Sequence, residues 1–184
     1  MSNIIPERGI NFSVYHEGRD LLGVAEGSLP NLESVTSDIS GAGVAGTVSS
    51  PVLGHFGSLE LSLTWRNVTK DIFKLAGQYS HNIDLYSAMQ DYNAGQGFYK
   101  VNALHVYVKA IPKNITIGNL VSGDTTGTTT ALECTYMKID INNTNYAEID
   151  KLNYICKIRG VDYLAEVRSA LGKGNNFAGI MNLL

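Results

Sequence analysis

The clearest alternation of hydrophobic and polar residues lies in the segment FGSLELSLTW, at 56–65. A period of two places alternate side chains on opposite faces of a strand. The pattern therefore predicts an antiparallel strand with one buried face and one polar face. The apolar set is Leu59, Leu61, Leu63 and Trp65, and the polar set is Glu60, Ser62 and Thr64.

Further segments carry the same short period and predict additional strands. INFSVYHEG and DLLGVAEGSL form a candidate pair joined by a turn at 17–19, and YAEID and KLNYICKIRG supply strands near the C-terminus. Others are expected at about 79–90, 98–111 and 132–141. Many strands separated by polar turns are typical of an antiparallel β-sandwich or small barrel. We therefore predict a mainly β fold.

Two short helices interrupt this pattern. The first is expected to begin after Thr69 as N-cap and to stop at Gly77. The second is expected over 162–171, with Gly172 as its terminator and an apolar stripe at the helical period. That stripe consists of Val161, Leu164, Val167 and Leu171.

The domain organisation follows from the remaining segments. SGDTTGTTT, at 122–130, is low in complexity and predicts an exposed polar hairpin tip. No internal repeat and no second domain is visible in the pattern. We expect one domain over 1–172 and a C-terminal extension at 173–184, where KGNNFAGIMNLL has no clear period.

Three glycines in SGAGVAGTVSSP, at 40–51, match the spacing G-x-G-x-x-G: Gly41, Gly43 and Gly46. Dinucleotide binding needs a buried strand before this motif and a helix after it. Here the preceding residues, LESVTSDIS, are largely polar, and Pro51 interrupts any following helix. We therefore expect an irregular glycine-rich loop over 39–55, and long ordered loops are usually functional.

Composition and charge exclude several classes of function. A chain of 184 residues with a net charge of −3 can bury one substantial core. Its 14 basic residues are scattered, so we expect no stable binding to nucleic acid. No segment approaches the roughly 20 apolar residues of a membrane span, and no secretory signal is visible at the start. We expect synthesis in the cytoplasm, no membrane anchoring, and reduced, buried thiols at Cys134 and Cys156.

Candidate catalytic residues do not form a recognised pattern. No serine lies in G-x-S-x-G, and the histidines at 16, 55, 81 and 105 show neither H-E-x-x-H nor H-x₃-H spacing. A site assembled from distant residues stays possible at this point. The sequence predicts no catalytic, metal or cofactor-binding residue, and hence no enzyme.

Several segments, in order, resemble the major tail tube protein of contractile-tailed bacteriophages and of R-type phage-tail bacteriocins. They are GVAEGSLPNLE at 23–33, SGAGVAG at 40–46, LELSLTW at 59–65, and the block CTYMKIDINNTNYAEIDKLNYICKIRGVDYLAEVRSALG at 134–172. The last block is the most specific, since it combines a C-T-Y strand, E-I-D before a strand, and R-G-V-D-x-L before the final helix. The resemblance covers roughly residues 10–172.

The resemblance implies a β-sandwich-like barrel with a packed helix, and hexameric rings that stack into a hollow tube inside a contractile sheath. Implied partners are other copies of the chain and the sheath, tape measure, baseplate and tail terminator proteins, with DNA passing transiently through the tube. The glycines at 41, 43 and 46 would then contact a neighbouring subunit or ring. The polar set Glu60, Ser62 and Thr64 is a candidate for the lumen, although it could equally face sheath or solvent. The protein would be assembled into a virion tail or a tail-like particle.

Three alternatives stay open on the sequence. The first is a genome-free contractile bacteriocin or a secretion-type tube, which changes only the cargo. The second is a nucleotide-binding enzyme that uses Gly41, Gly43 and Gly46. The third is a monomeric β-sandwich binding module with 122–130 as its recognition loop.

Overall fold

A computed structural model describes residues 3–20 and 23–173 of the chain. Within them, twelve strands and two short helices occur, which confirms the mainly β prediction. The strands are β1 (Ile4–His16), β2 (Arg19–Asp20), β3 (Val24–Ser28), β4 (Ser34–Gly41), β5 (Val44–Phe56), β6 (Glu60–Trp65), β7 (His81–Asn93), β8 (Phe98–Thr116), β9 (Thr128–Ile141), β10 (Thr144–Asp150), β11 (Ile155–Ile158) and β12 (Val161–Asp162). The helices are α1 (Lys70–Leu75) and α2 (Ala165–Ala170). Apart from Lys173, the C-terminal extension lies outside the described residues.

Ten of the strands form one antiparallel sheet, in the order β12-β11-β10-β9-β8-β7-β1-β2, with β6 paired to β9 and β3 paired to β6. The strand β9 has two partners on one side, because residues 128–133 pair with β6 and residues 136–141 pair with β10. At the junction, the pairing with β8 skips Thr135, which is therefore a bulge. A bulge bends its strand, and the sheet changes partner at this point.

The bend in β9 brings β3 and β6 over the strands β1 and β7, which gives two layers with one core. A side chain at Gly27 of β3 would lie 3.5 Å from the Leu85 side chain of β7. The predicted apolar face of 59–65 is confirmed, since its four members are at most 1% exposed. They pack with Val14, Ile72, Leu75, Ile83, Val106, Val108, Leu132 and Met137.

The prediction of an exposed hairpin tip over 122–130 is wrong for its last three residues, which lie in β9. The connection between β8 and β9 ends at Gly127, and Thr128 and Thr130 are fully buried. Their hydroxyls are satisfied inside the fold, where Thr128 donates to Ile117 O at 2.6 Å and Thr130 accepts from Trp65 Nε1 at 3.1 Å. The exposed polar tip is therefore restricted to residues 122–127.

The second helix is shorter than predicted. Val161 lies in β12, and of the predicted apolar stripe Leu164 is buried whereas Val161 and Leu171 are more than half exposed. The carboxylate of Asp162 accepts from Leu164 N–H and from Arg168, and this turn delays the start of α2. The helix ends at Ala170, and the predicted terminator Gly172 follows the C-cap Leu171 with φ +68°.

The prediction of an irregular loop over 39–55 is wrong, because β4 and β5 form a long hairpin there. Gly41 pairs with Val44, and residues 42–43 form the turn between them. The next pair is Ile39 with Val48, and the extra residues of β5 between the two pairs form a bulge that contains Gly46. Gly43 has φ +90° and Gly46 has φ +124°, so the glycines supply the backbone angles of a turn and a bulge.

Candidate functional site

The hairpin of β4 and β5 projects from the two-layered body. In the described part of the chain, its strands pair only with each other, and every residue of β4 is exposed. Ile39 and Val48 lie opposite each other on one face and are 49% and 53% exposed. A two-stranded hairpin in water is at best marginally stable. The exposed apolar residues are therefore available for contact with another molecule.

The predicted contact residues Gly41, Gly43 and Gly46 lie together at the end of this hairpin. An added Cβ would meet no heavy atom within 4 Å at any of the three positions. Gly43 leads into β5 rather than into a helix, so the backbone amides of a helix N-terminus do not face this turn. The three glycines form the end of a projecting hairpin and not a phosphate-binding loop.

The base of the hairpin is held by polar groups of the body. Gly57 N–H donates to Glu33 O at 2.9 Å and joins the two ends of the hairpin. Lys151 Nζ donates to Gly57 O at 2.6 Å and lies 3.0 Å from Glu133 Oε1. Burial alone would raise the pKa of Glu133, but hydrogen bonds from Ser58, Lys151 and Leu59 N–H outweigh it and hold that pKa below its ordinary value.

The predicted polar set Glu60, Ser62 and Thr64 lies on one outer face of β6. All three side chains are half-buried, and they lie opposite Glu133, Ala131 and Thr129 of β9. Lys113 Nζ binds Glu60 at 2.7 Å, and this hydrogen bond raises the pKa of the lysine. The face is therefore made mostly of small neutral side chains, and the charge of Glu60 is compensated.

A second projecting part is formed by the beginning of β1, the end of β7 and the beginning of β8, and the sequence did not predict it. In this three-stranded extension Ile5, Tyr92 and Tyr99 share one face, and the two tyrosine rings lie 5.3 Å apart. Residues 4–9 of β1 are all exposed. Among the described residues, the outer edge of β1 is paired only at Tyr15 and His16, by β2. Unpaired edges of this kind invite pairing with another chain.

Two histidines form a buried pair at the other end of β1. His81 Nε2 lies 2.9 Å from Gly77 O, which only accepts, so Nε2 carries the proton and Nδ1 is an acceptor. His16 Nε2 therefore donates to His81 Nδ1 at 3.0 Å. Burial and the neighbouring His81 lower the pKa of His16. Both imidazoles serve as hydrogen-bonding groups of the core.

The described residues contain no cluster of three or more His, Cys, Asp or Glu side chains able to hold a metal ion. His105 binds Asp84 at 2.7 Å and stacks on Tyr86 with ring centroids 4.2 Å apart. This pair lies on the outer face of β7 and β8. Across residues 3–20 and 23–173, no helix is long and apolar enough to span a membrane.

Two viral proteins resemble this chain over nearly its whole length. The major tail tube protein of Serratia phage KSP20 is 27% identical over 172 residues, which cover 92% of this chain and 98% of that protein. The tail tube protein of Escherichia phage P2 is 27% identical over 167 residues, which cover 87% and 94% of the two chains.

The fold is also found in a solved structure. The sheath/tube terminator of the extracellular contractile injection system PVC, in its extended state, aligns with a TM-score of 0.54 at 14% identity. The alignment covers 73% of this chain and 96% of that chain.

The family model described as "Phage tail tube protein FII" matches residues 6–172. That range includes both strands of the projecting hairpin, the polar face of β6 and the block at 134–172. The resemblance seen in the sequence is thereby confirmed, and the chain belongs to the phage tail tube protein FII family, as a structural subunit of a contractile tail tube.

Proposed function

We propose that six copies of this chain form a ring, that rings stack into a hollow tube, and that the β4–β5 hairpin contacts a neighbouring subunit or ring. The observation that carries this proposal is the exposed apolar hairpin, which pairs with no other described strand. Contact with a second copy would bury Ile39 and Val48. Each fully buried aliphatic side chain contributes roughly 1.5–3 kcal/mol.

The strand edges support the same role. β1 is long and exposed at its start, and β3, at the end of the branch that leaves β9 through β6, pairs only with β6 among the described residues. Joining these edges between subunits would close the sheet into a continuous barrel and remove them from solvent.

We assign the polar face of β6 to the lumen. Glu60, Ser62 and Thr64 present small or charge-compensated groups, and the whole chain carries a net charge of −3. A surface of this kind neutralises few phosphates, so a passing nucleic acid would be held only weakly. A conduit has to let its cargo move.

The role is non-enzymatic, and its partners are other tail components: the sheath, the tape measure protein, the baseplate and the tail terminator. The fold shared with a sheath/tube terminator supports this set of partners. The chain would be made in the host cytoplasm and assembled there into a virion tail. The alternative is a particle that carries no genome. Capsid genes next to the gene for this chain would identify a phage.

Negative-stain electron microscopy of the purified chain at high concentration tests the proposal. We expect hollow rods and end views with six-fold symmetry. Particles that stay monomeric across the whole concentration range would contradict the tube, and rings of another symmetry would contradict the stoichiometry.

The Gly43→Val variant tests the hairpin contact. Val is strained at φ +90° and adds a branched side chain at the hairpin end. We expect assembly to be lost while monomer solubility and circular dichroism stay as in the wild type. Gly123→Val is the matched control, since Gly123 has φ +81° and open space in the 122–127 tip. Normal tubes from Gly43→Val would contradict a role of this turn in assembly.

A further inference from the structure

The direction of the β4–β5 hairpin is set at its base. Its strands pair with no other described strand, so the sheet of the body does not fix the angle at which it projects. The connecting residues 57–59 run from the end of β5 into β6. Any group that holds these three residues therefore holds the hairpin.

One ion pair contacts all three of these residues. Lys151 Nζ donates to Gly57 O at 2.6 Å, and Glu133 accepts from Leu59 N–H at 3.2 Å and from the Ser58 hydroxyl. The two charged groups lie 3.0 Å apart. Glu133 lies in β9, and Lys151 directly follows β10, so both charges are fixed to the main sheet.

The lysine is itself held in place. Its backbone N–H donates at 3.0 Å to the carbonyl oxygen of Thr135, the bulge residue of β9. An exposed ion pair contributes little to stability, but here the two charges bind backbone groups of the connecting segment. This geometry is better suited to orienting the hairpin than to stabilising the folded chain.

A second contact between the hairpin base and the body lies within β5. Gly54 of β5 lies against Leu164, since an added Cβ would be 2.6 Å from Leu164 Cγ. Leu164 is 4% exposed and precedes α2. Two separate contacts, at Gly54 and at 57–59, restrain rotation of the hairpin about its base.

We propose that Glu133 and Lys151 are positioning residues that hold the hairpin at one angle to the body before it meets a neighbouring subunit. This inference rests on the proposed role of the hairpin in assembly. A hairpin that is already oriented loses less conformational freedom on contact, which strengthens association without any new contact. The partner of the oriented hairpin is a second copy of this chain.

The distance between the hairpin and the body tests the proposal in the monomer. Spin labels at Ser49→Cys on β5 and Glu166→Cys on α2 would be measured by pulsed electron paramagnetic resonance; both sites are exposed, and the native thiols are buried. We expect a narrow distance distribution in the wild type and one about twice as wide in Lys151→Met. Lys151→Arg should restore the narrow distribution, because Arg can reach both acceptors. An unchanged width in Lys151→Met would overturn the proposal.

The control and the second variant separate orientation from folding. Lys138→Met removes a different ion pair of β9, between Lys138 and Asp140 at 2.8 Å, which does not contact the hairpin. This variant should leave the width of the distance distribution unchanged. Glu133→Gln keeps the size of the side chain and should widen the distribution as Lys151→Met does. Equal widening in Lys138→Met would mean general loosening and would overturn the proposal.

Assembly provides the second readout. We expect the critical concentration for rods to rise about five-fold in Lys151→Met and to stay within about two-fold in Lys138→Met. A wild-type chain that forms no rods would contradict the proposed function, whereas the distance distributions would still decide the role of Lys151. Rods that form equally well despite a widened distribution would overturn the link between orientation and assembly.

Discussion

The side chain of Leu164 occupies the space that a side chain at Gly54 would need. An added Cβ would lie 2.6 Å from Leu164 Cγ, and Gly54 has φ +65°. The contact joins the projecting hairpin to the segment before α2. Only glycine satisfies both the backbone angle and the close approach at this position.

Gly54→Ala should therefore destabilise the protein. Left-handed backbone costs a non-glycine residue about 1–2 kcal/mol, and displacing the buried Leu164 adds about 1–3 kcal/mol. Urea unfolding would measure the sum. Gly97→Ala is the control, since Gly97 has φ +71° and open space, and should show only the backbone cost. Equal losses in the two variants would contradict the packing contact.

Thr130→Val should cost about 1–3 kcal/mol of unfolding free energy, because it leaves the buried Trp65 Nε1–H without its acceptor. Thr130 Oγ1 accepts that hydrogen bond at 3.1 Å, and both residues are at most 1% exposed. Thr129→Val is the control on the outer face of the same strand, with the same change of shape. Thermal unfolding of the pair gives the difference, and equal stability of both variants would contradict the assigned hydrogen bond.

Stability should fall as the pH is lowered from about 7.5 to about 5.5, in part through His16. Its pKa is lowered by burial and by His81, so the unfolded chain takes up a proton near pH 6.5 that the folded chain resists. The unfolded state then binds more protons, and stability declines until the pH reaches the folded pKa. Asp71, Lys74 and Glu17 also face this imidazole and modify its pKa.

His16→Gln isolates this contribution. The Gln side-chain amide can donate to His81 Nδ1 in place of His16 Nε2, but it does not titrate. We expect the melting temperature of the variant to fall less than that of the wild type over the same pH range. An identical pH dependence would show that His16 is protonated equally in the two states.

The Cys134 thiol should not react with thiol reagents in the folded protein. Burial raises its pKa to about 12, so almost no reactive thiolate exists at neutral pH. Mass spectrometry after brief iodoacetamide treatment should find Cys134 unmodified in buffer and alkylated in urea. Modification in buffer at the rate found in urea would contradict the burial of this strand.

The sequence predicted the elements in which one face is buried. In 59–65 the alternation is complete because β6 has the core on one side and a polar surface on the other. Every second residue is therefore both buried and hydrophobic. The same reason explains the burial of Cys134 and Cys156, which the sequence also predicts.

The hairpin was missed because neither of its faces is buried in the body. With Ile39 and Val48 exposed on one face and polar residues around them, no alternation marks the strands. Their only local signal is the content of β-branched residues, and that preference depends strongly on context. The glycines fit an irregular loop as well as a turn and a bulge, because all three use the same backbone freedom.

Local periodicity and the order of short motifs suffice to predict the fold class, the core strand and the family resemblance. They do not predict which distant groups meet, because those contacts arise only when the chain is folded. Glu133 and Lys151 are separated in sequence from residues 57–59 but contact them, and Leu164 contacts Gly54. Such contacts depend on strand order and on the bend in β9, and no pattern within a short segment of the chain carries that information.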